Sequence, residues 1–264
     1  MGEENVKIFA DTLNYIFNSG HLDKCVQDSV DNSRVYFEDE WPIVNRPIRS
    51  KEADISVSGD RSFEAARILR LENPDSRIAV LNFANGVVPG GGVLNGASAQ
   101  EESLCRISTL YPVILDEKLD CFYRNNEDID PLDSTDSLIY SKDIVVFKSD
   151  TERPELLPKS DWYKVDVITM AAPDLGYEDK NPLELYSIHF KRAMHMLTCA
   201  ASEGSDILVL GAFGCGAFMN DPVTVAGAWF NAIKVFPKVF DKIEFAVYKG
   251  ADPDNYEIFK EVFG

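Results

Sequence analysis

Apolar positions along the chain follow two different periods. Val6, Phe9, Leu13, Ile16 and Phe17 recur at helical spacing and predict a helix over residues 3–19. Residues 20–53 lose that rhythm: polar clusters, Pro42, Pro47 and the lone Trp41 predict an irregular extension packed on the remainder. From residue 54 onward the pattern alternates between strand and helix. Ile55–Val57 predicts a short strand, residues 61–72 a helix with Phe63, Ala66 and Leu69 three apart, and Ile78–Leu81 a buried strand running on to Phe83. Further strands are expected at 139–148, 165–171, 207–210 and 243–248. Asn181-Pro182 and Asp221-Pro222 each supply a cap and a first-turn proline for a helix, and a last helix is expected over 253–262. This alternation predicts a three-layer α/β/α sandwich on a mixed, mainly parallel sheet over 54–264, with residues 1–53 as an extension.

One stretch departs from the rhythm. Residues 116–137 carry Asp116, Glu117, Asp120, Glu127, Asp128, Asp130, Asp133 and Asp136, and the expectation is a solvated insertion loop. Composition is otherwise that of a globular chain of 264 residues with 45% hydrophobic content. The charge is not ordinary: 26 basic against 44 acidic side chains give −18. Such a surface repels nucleic acid and acidic membranes at long range, so no duplex groove and no membrane partner is expected. A polyanion gripped in a small pocket by backbone amides remains compatible, and favours reading the end of such a polymer. Cys25, Cys105, Cys121, Cys199 and Cys215 have no CxxC spacing, and only His21, His189 and His195 are available, so neither a disulfide framework nor a metal site is indicated. Residues 1–7 lack the apolar core of a secretory signal, Val6 occupies the place where myristoylation requires Ser or Thr, and no run is long enough to span a bilayer. The expectation is a soluble intracellular monomer, cytoplasmic or also nuclear in a eukaryote.

Two glycine loops follow buried strands. The first, Asn85 to Gly92, ends in Gly90-Gly91-Gly92, a costly run unless backbone must approach a ligand closely or present its amides as an anion nest. Strand carboxyl ends are where open α/β sheets bind ligands. Ser98 and Glu101 fit a capping box, which would give Glu101 a structural use. Glu102 has no comparable use. Paired carboxylates beside such a loop suit glycoside chemistry, which needs an acid for the leaving oxygen and negative charge near an oxocarbenium-like centre. Adjacent helical residues diverge by about 100°, so a regular helix does not aim both at one bond; an irregular helix start would let them flank one ribose.

The second loop, Gly211 to Phe218, precedes Asn220-Asp221-Pro222. It suits a diphosphate, but no Gly-Lys-Ser/Thr follows, and its GxxGxG spacing is not the dinucleotide fingerprint. An NAD-dependent oxidoreductase is therefore disfavoured. Cys215 has no histidine nearby in sequence to make it a nucleophile. Phe83 is expected in the core, whereas Phe218 and Tyr248 are equally suited to packing and to stacking on a base or sugar.

Taken together, Asn82-Phe83-Ala84-Asn85, Gly90 to Gly92, a seven-residue spacer and Gln100-Glu101-Glu102-Ser103-Leu104-Cys105-Arg106 resemble the poly(ADP-ribose) glycohydrolases in their shorter bacterial and fungal form. Gly214-Cys215-Gly216-Ala217-Phe218 is similar to that family's diphosphate loop, and the resemblance spans roughly residues 54 to 262. It implies a macrodomain fold and hydrolysis of the ribose–ribose link of poly(ADP-ribose) without metal or cofactor. It further implies Glu102 as the acid and then the base, Glu101 and Asn85 on the reacting ribose, and Gln100 as a ligand-binding residue beside them. The glycine triplet and residues 214–218 would wrap the diphosphate, with Tyr248 as a stacking aromatic. Two other readings keep the ligand: a module that binds ADP-ribose without cutting it, and a hydrolase that removes mono-ADP-ribose from protein or nucleic acid. The acidic stretch and the Trp41 region match no motif of the family.

Overall fold

The computed structural model describes residues 2–127, 129, 134–176 and 180–264. Its strands form one seven-stranded sheet among these residues, in the order β1-β4-β5-β3-β6-β7-β2. They are β1 (Arg34–Tyr36), β2 (Asp54–Ser58), β3 (Ile78–Ala84), β4 (Leu138–Val146), β5 (Tyr163–Ala171), β6 (Ile207–Leu210) and β7 (Lys242–Ala246). From β5 to β2 every pairing is parallel; β4 pairs antiparallel with both β5 and β1. The predicted mixed, mainly parallel sheet is what forms.

Side-chain alternation on β3 shows why three layers result. Ala79 and Leu81 join one core with Leu210, Phe245 and Trp229, whereas Ile78 and Val80 join another with Phe63, Leu104 and Phe122. A strand buried on both faces reads as a continuous apolar run, and each buried side chain of this size contributes about 1.5–3 kcal/mol. The first core is covered by α7 (Pro182–Ser202), α8 (Pro222–Ile233) and α9 (Pro253–Phe263). The second lies under α3 (Ser62–Glu72), α4 (Gln100–Ile107), α5 (Leu110–Ile114) and α6 (Asp120–Glu127), with Phe9 of α1 (Gly2–Asn18) and Val30 of α2 (His21–Asn32) reaching into it. Asn181 and Asp221 cap α7 and α8 as expected, accepting from Leu183 N at 2.9 Å and Thr224 N at 2.9 Å.

Three expectations are corrected. The stretch expected to be irregular, 20–53, contains α2 and β1, and β1 adds an edge strand to the sheet. Leu22, Cys25, Ser29 and Val30 form the buried stripe of α2, thinned by the polar residues between them. The stretch expected to be a solvated loop contains α6, which is held by burial of Phe122, Tyr123 and Asn126 despite its acidic neighbours. Asp128, Asp130 and Asp133 of that stretch lie outside the described residues. Lastly, Ser98 does not cap α4; Ala99 occupies the N-cap with no side-chain bond. Among the described residues no helix is long and apolar enough to cross a membrane.

Candidate active site

The first glycine loop is shaped by its own asparagine and by α4. Asn85 Oδ1 accepts from Val87 N at 2.9 Å and Val88 N at 2.8 Å, turning the chain as it leaves β3. Gly90 and Gly91 then adopt φ of +71° and +56°, a region that side chains disfavour. Gly91 is needed for space as well. A Cβ there would lie 2.6 Å from Glu102 Oε1 and 3.1 Å from Glu101 Oε2. Both carboxylates therefore converge on one point of backbone, although they are neighbours on a helix.

The convergence comes from the first turn of α4 lying against the loop. Glu101 does not serve as a capping box; its carboxylate accepts from Asn85 N at 2.8 Å and from Asn82 Nδ2 at 3.2 Å. Glu102 Oε1 accepts from Gly92 N at 2.9 Å. Its other oxygen, Oε2, is buried and has no hydrogen-bond partner among the described residues. Both side chains are nearly closed to solvent, at 3% and 7% exposure. Burial pushes the Glu101 carboxyl up to about 8, opposed by the donors Asn85 N and Asn82 and reinforced by the charge of Glu102.

Gln100, expected at the ligand, has its amide engaged in the scaffold. Its Oε1 accepts from Phe83 N at 2.9 Å, and its Nε2 donates to Leu81 O at 2.7 Å and Ser62 Oγ at 3.0 Å. It fastens α4 to the end of β3 and the start of α3, and so sets where the carboxylates stand.

The second loop leaves β6, the neighbour of β3. Gly214 takes φ +79°. Cys215 N, Met219 N and Asn220 N bond within the loop, whereas the amides of Gly214, Gly216, Ala217 and Phe218 have no hydrogen bond among the described residues. Gly216 faces open space. Cys215 is buried in the core and does not line the cavity; burial raises its thiol pKa far above the usual range, which leaves no thiolate for nucleophilic attack.

A cavity of about 860 Å³ joins the two loops. Asn85, Gly91, Gly92, Gln100, Glu101 and Glu102 line it from one side, and Gly214, Gly216, Ala217 and Phe218 from the other. Phe83 and Tyr248 also reach it. Phe83, expected in the core, is only partly buried and stands edge-on to Phe213 at 5.9 Å. Two wall residues were not anticipated. The guanidinium of Arg61 lies 4.2 Å over the Tyr248 ring, and Asp150 is almost fully buried and accepts from Phe63 N at 3.0 Å. Arg61 follows the end of β2, a carboxyl-end position that would have marked it; Asp150 carried no local signal.

Comparison with known proteins gives the family and the fold. Residues 3–149 match the family model described as the catalytic domain of microbial-type PARG. Poly(ADP-ribose) glycohydrolase from Thermomonospora curvata, bound to the inhibitor ADP-HPD, is 31% identical and superposes with a TM-score of 0.86, covering 99% of this chain and 100% of that one. Poly(ADP-ribose) glycohydrolase from Deinococcus radiodurans, in complex with ADP-ribose, is 30% identical with a TM-score of 0.79, covering 90% and 96%. Among curated proteins, none matches the sequence. More than half of the chain lies within the family model and the solved relatives span nearly all of it: the chain belongs to the microbial-type poly(ADP-ribose) glycohydrolase family.

Proposed function

We propose that the protein hydrolyses the ribose–ribose bond of poly(ADP-ribose) and releases ADP-ribose, with Glu102 as general acid and then general base. The observation that carries this reading is the state of Glu102 on the cavity wall. One of its carboxylate oxygens is tied to Gly92 and the other is buried with no partner among the described residues. A buried oxygen with no bond of its own is the place from which a proton can be handed to a substrate atom.

With the terminal ribose over Gly91, Glu102 Oε2 gives its proton to the departing 2′-oxygen as the bond from the anomeric carbon to that oxygen breaks. Positive charge develops on the sugar, and the Glu101 carboxyl, held in place by Asn82 and Asn85, accepts from the ribose hydroxyls. Water then adds to the anomeric carbon and returns a proton to Glu102. Asn85 holds the same sugar through its Nδ2. The amides of Gly214, Gly216, Ala217 and Phe218 take the diphosphate, which reconciles an anionic ligand with a chain of charge −18. Tyr248 and Phe218 present aromatic faces to the remainder of the ligand. The Deinococcus radiodurans relative holding ADP-ribose supports this choice of ligand.

The test is incubation with purified poly(ADP-ribose) beside an acceptor carrying a single ADP-ribose. Free ADP-ribose from the polymer is the expected product. Tight binding without release would make the protein a recognition module, and release from the single unit alone would move the reaction to the acceptor bond.

A further inference from the structure

His189 and Asn220 are buried polar residues outside the catalytic pair, at 3% and 2% exposure. The Asn220 amide is saturated. Its Nδ2 donates to Pro173 O at 2.8 Å, Gly214 O at 3.0 Å and Phe218 O at 3.0 Å. Three carbonyls around one atom identify it as the nitrogen, so Oδ1 must be the acceptor for His189 Nε2 at 2.8 Å. The histidine is thereby fixed as the tautomer protonated on Nε2. Burial keeps it neutral, pushing its pKa down to about 4.

The carbonyls that Asn220 holds are informative. Gly214 and Phe218 are the two ends of the segment in which every amide but that of Cys215 is unclaimed among the described residues, and Pro173 belongs to the loop after β5. Asn220 N also donates to Gly214 O at 3.0 Å, and Leu175 N donates to Phe218 O at 3.0 Å. A Cβ on Gly214 would stand 2.7 Å from Asn220 Nδ2, so amide and glycine are packed flush. Between bracket and segment, Met219 is held at φ +58°, a conformation a non-glycine residue keeps only when its surroundings impose it.

We propose that Asn220, itself oriented by His189, is the positioning residue that holds the second glycine loop in its anion-receiving shape before any ligand arrives. Neither residue lines the cavity. Preorganisation of this kind lowers the ordering cost of binding, so its loss weakens affinity for the diphosphate group rather than the chemical step. The inference rests on the diphosphate reading of that loop.

The test compares ADP-ribose, measured by calorimetry, with adenosine, measured by NMR titration, on folded protein of equal melting profile. Micromolar or tighter ADP-ribose binding by the wild type is the check on the site reading itself. Asn220→Ala is expected to raise the Kd for ADP-ribose at least thirtyfold with adenosine unchanged within twofold, and to raise KM for polymer with kcat within threefold. His189→Leu should weaken ADP-ribose about tenfold. His189→Gln, which can restore the donor, should recover to within threefold of wild type. Wild-type ADP-ribose affinity in Asn220→Ala overturns the proposal. So does an equal loss of adenosine and ADP-ribose, or failure of Gln to restore what Leu removes. Should Asn220→Ala not fold, the His189 pair alone decides by the same criteria.

Discussion

The two glycine loops stand at the carboxyl ends of neighbouring strands, and their backbones are used in opposite ways. In the first, Asn85 N and Gly92 N donate to Glu101 and Glu102, so two of the loop's amides orient acids. In the second, the amides of Gly214, Gly216, Ala217 and Phe218 are unclaimed among the described residues. Similar spelling thus serves two tasks: one loop positions side chains, and the other leaves its backbone amides open for the diphosphate proposed above. What separates them is the partner each loop meets. The first meets the start of α4 with two carboxylates; the second meets the carboxamide of Asn220.

The contrast is broken most severely at Glu102. Glu102→Gln keeps the shape and removes the transferable proton, so turnover of polymer should fall by about 10²- to 10⁴-fold while ADP-ribose affinity stays within a few-fold. Near wild-type release of ADP-ribose by this variant would end the assignment. Gly91→Val comes next. Its Cβ would sit 2.6 Å from Glu102 Oε1 at φ +56°, displacing the carboxylate by about an ångström, and a shift of that size costs roughly a hundredfold in rate. Single-turnover kinetics would measure it, and an unchanged rate would show that the loop does not orient the acid.

A third variant probes the burial of the pair. The Glu101 carboxyl stands at about 8 in the fold against an ordinary 4.5, so the folded state binds the proton more tightly. Its contribution to stability is full below about 4.5 and is lost as pH rises through about 8. Glu101→Gln should therefore gain thermal stability over wild type progressively across that window, with the gap in melting temperature at pH 9 exceeding that at pH 5. Parallel melting curves across pH would contradict it. The smallest effect is expected from Cys215→Ala. Its thiol faces the core, so turnover should stay within about twofold and stability should fall by about 1 kcal/mol. A large catalytic loss would mean that the second loop acts through more than its backbone.

Much of this molecule was legible in its residues, and the failures share a cause. Strands such as Ile78–Ala84 and proline-opened helices such as α7 and α8 announce themselves through local pattern and capping, and the structure has them within a few residues of the expected limits. The helix at 21–32 was missed although its stripe was present, because polar residues between Leu22, Cys25 and Val30 diluted it. β1 is three residues long and exists through pairing with β4, far away in sequence. The site divides similarly. Glycine triplet and paired carboxylates were visible as a motif, yet the capping role expected for Glu101 failed because Asn82 and Asn85 offered better donors across the loop. Gln100, Asn220 and Asp150 act through contacts that only the folded chain creates.

If the amides of the second loop, unclaimed among the described residues, take a diphosphate as proposed, there is a consequence for how the protein would meet a polyanion. Peptide dipoles carry no net charge, so their pull fades within a few ångströms, whereas a surface of −18 pushes a polyanion away over about one Debye length, roughly 10 Å at 0.1 M salt. Approach is then hindered and seizure is local. Added electrolyte screens the approach more than the grip, so encounter quickens with ionic strength, the reverse of what a basic groove on a nucleic-acid-binding protein would do.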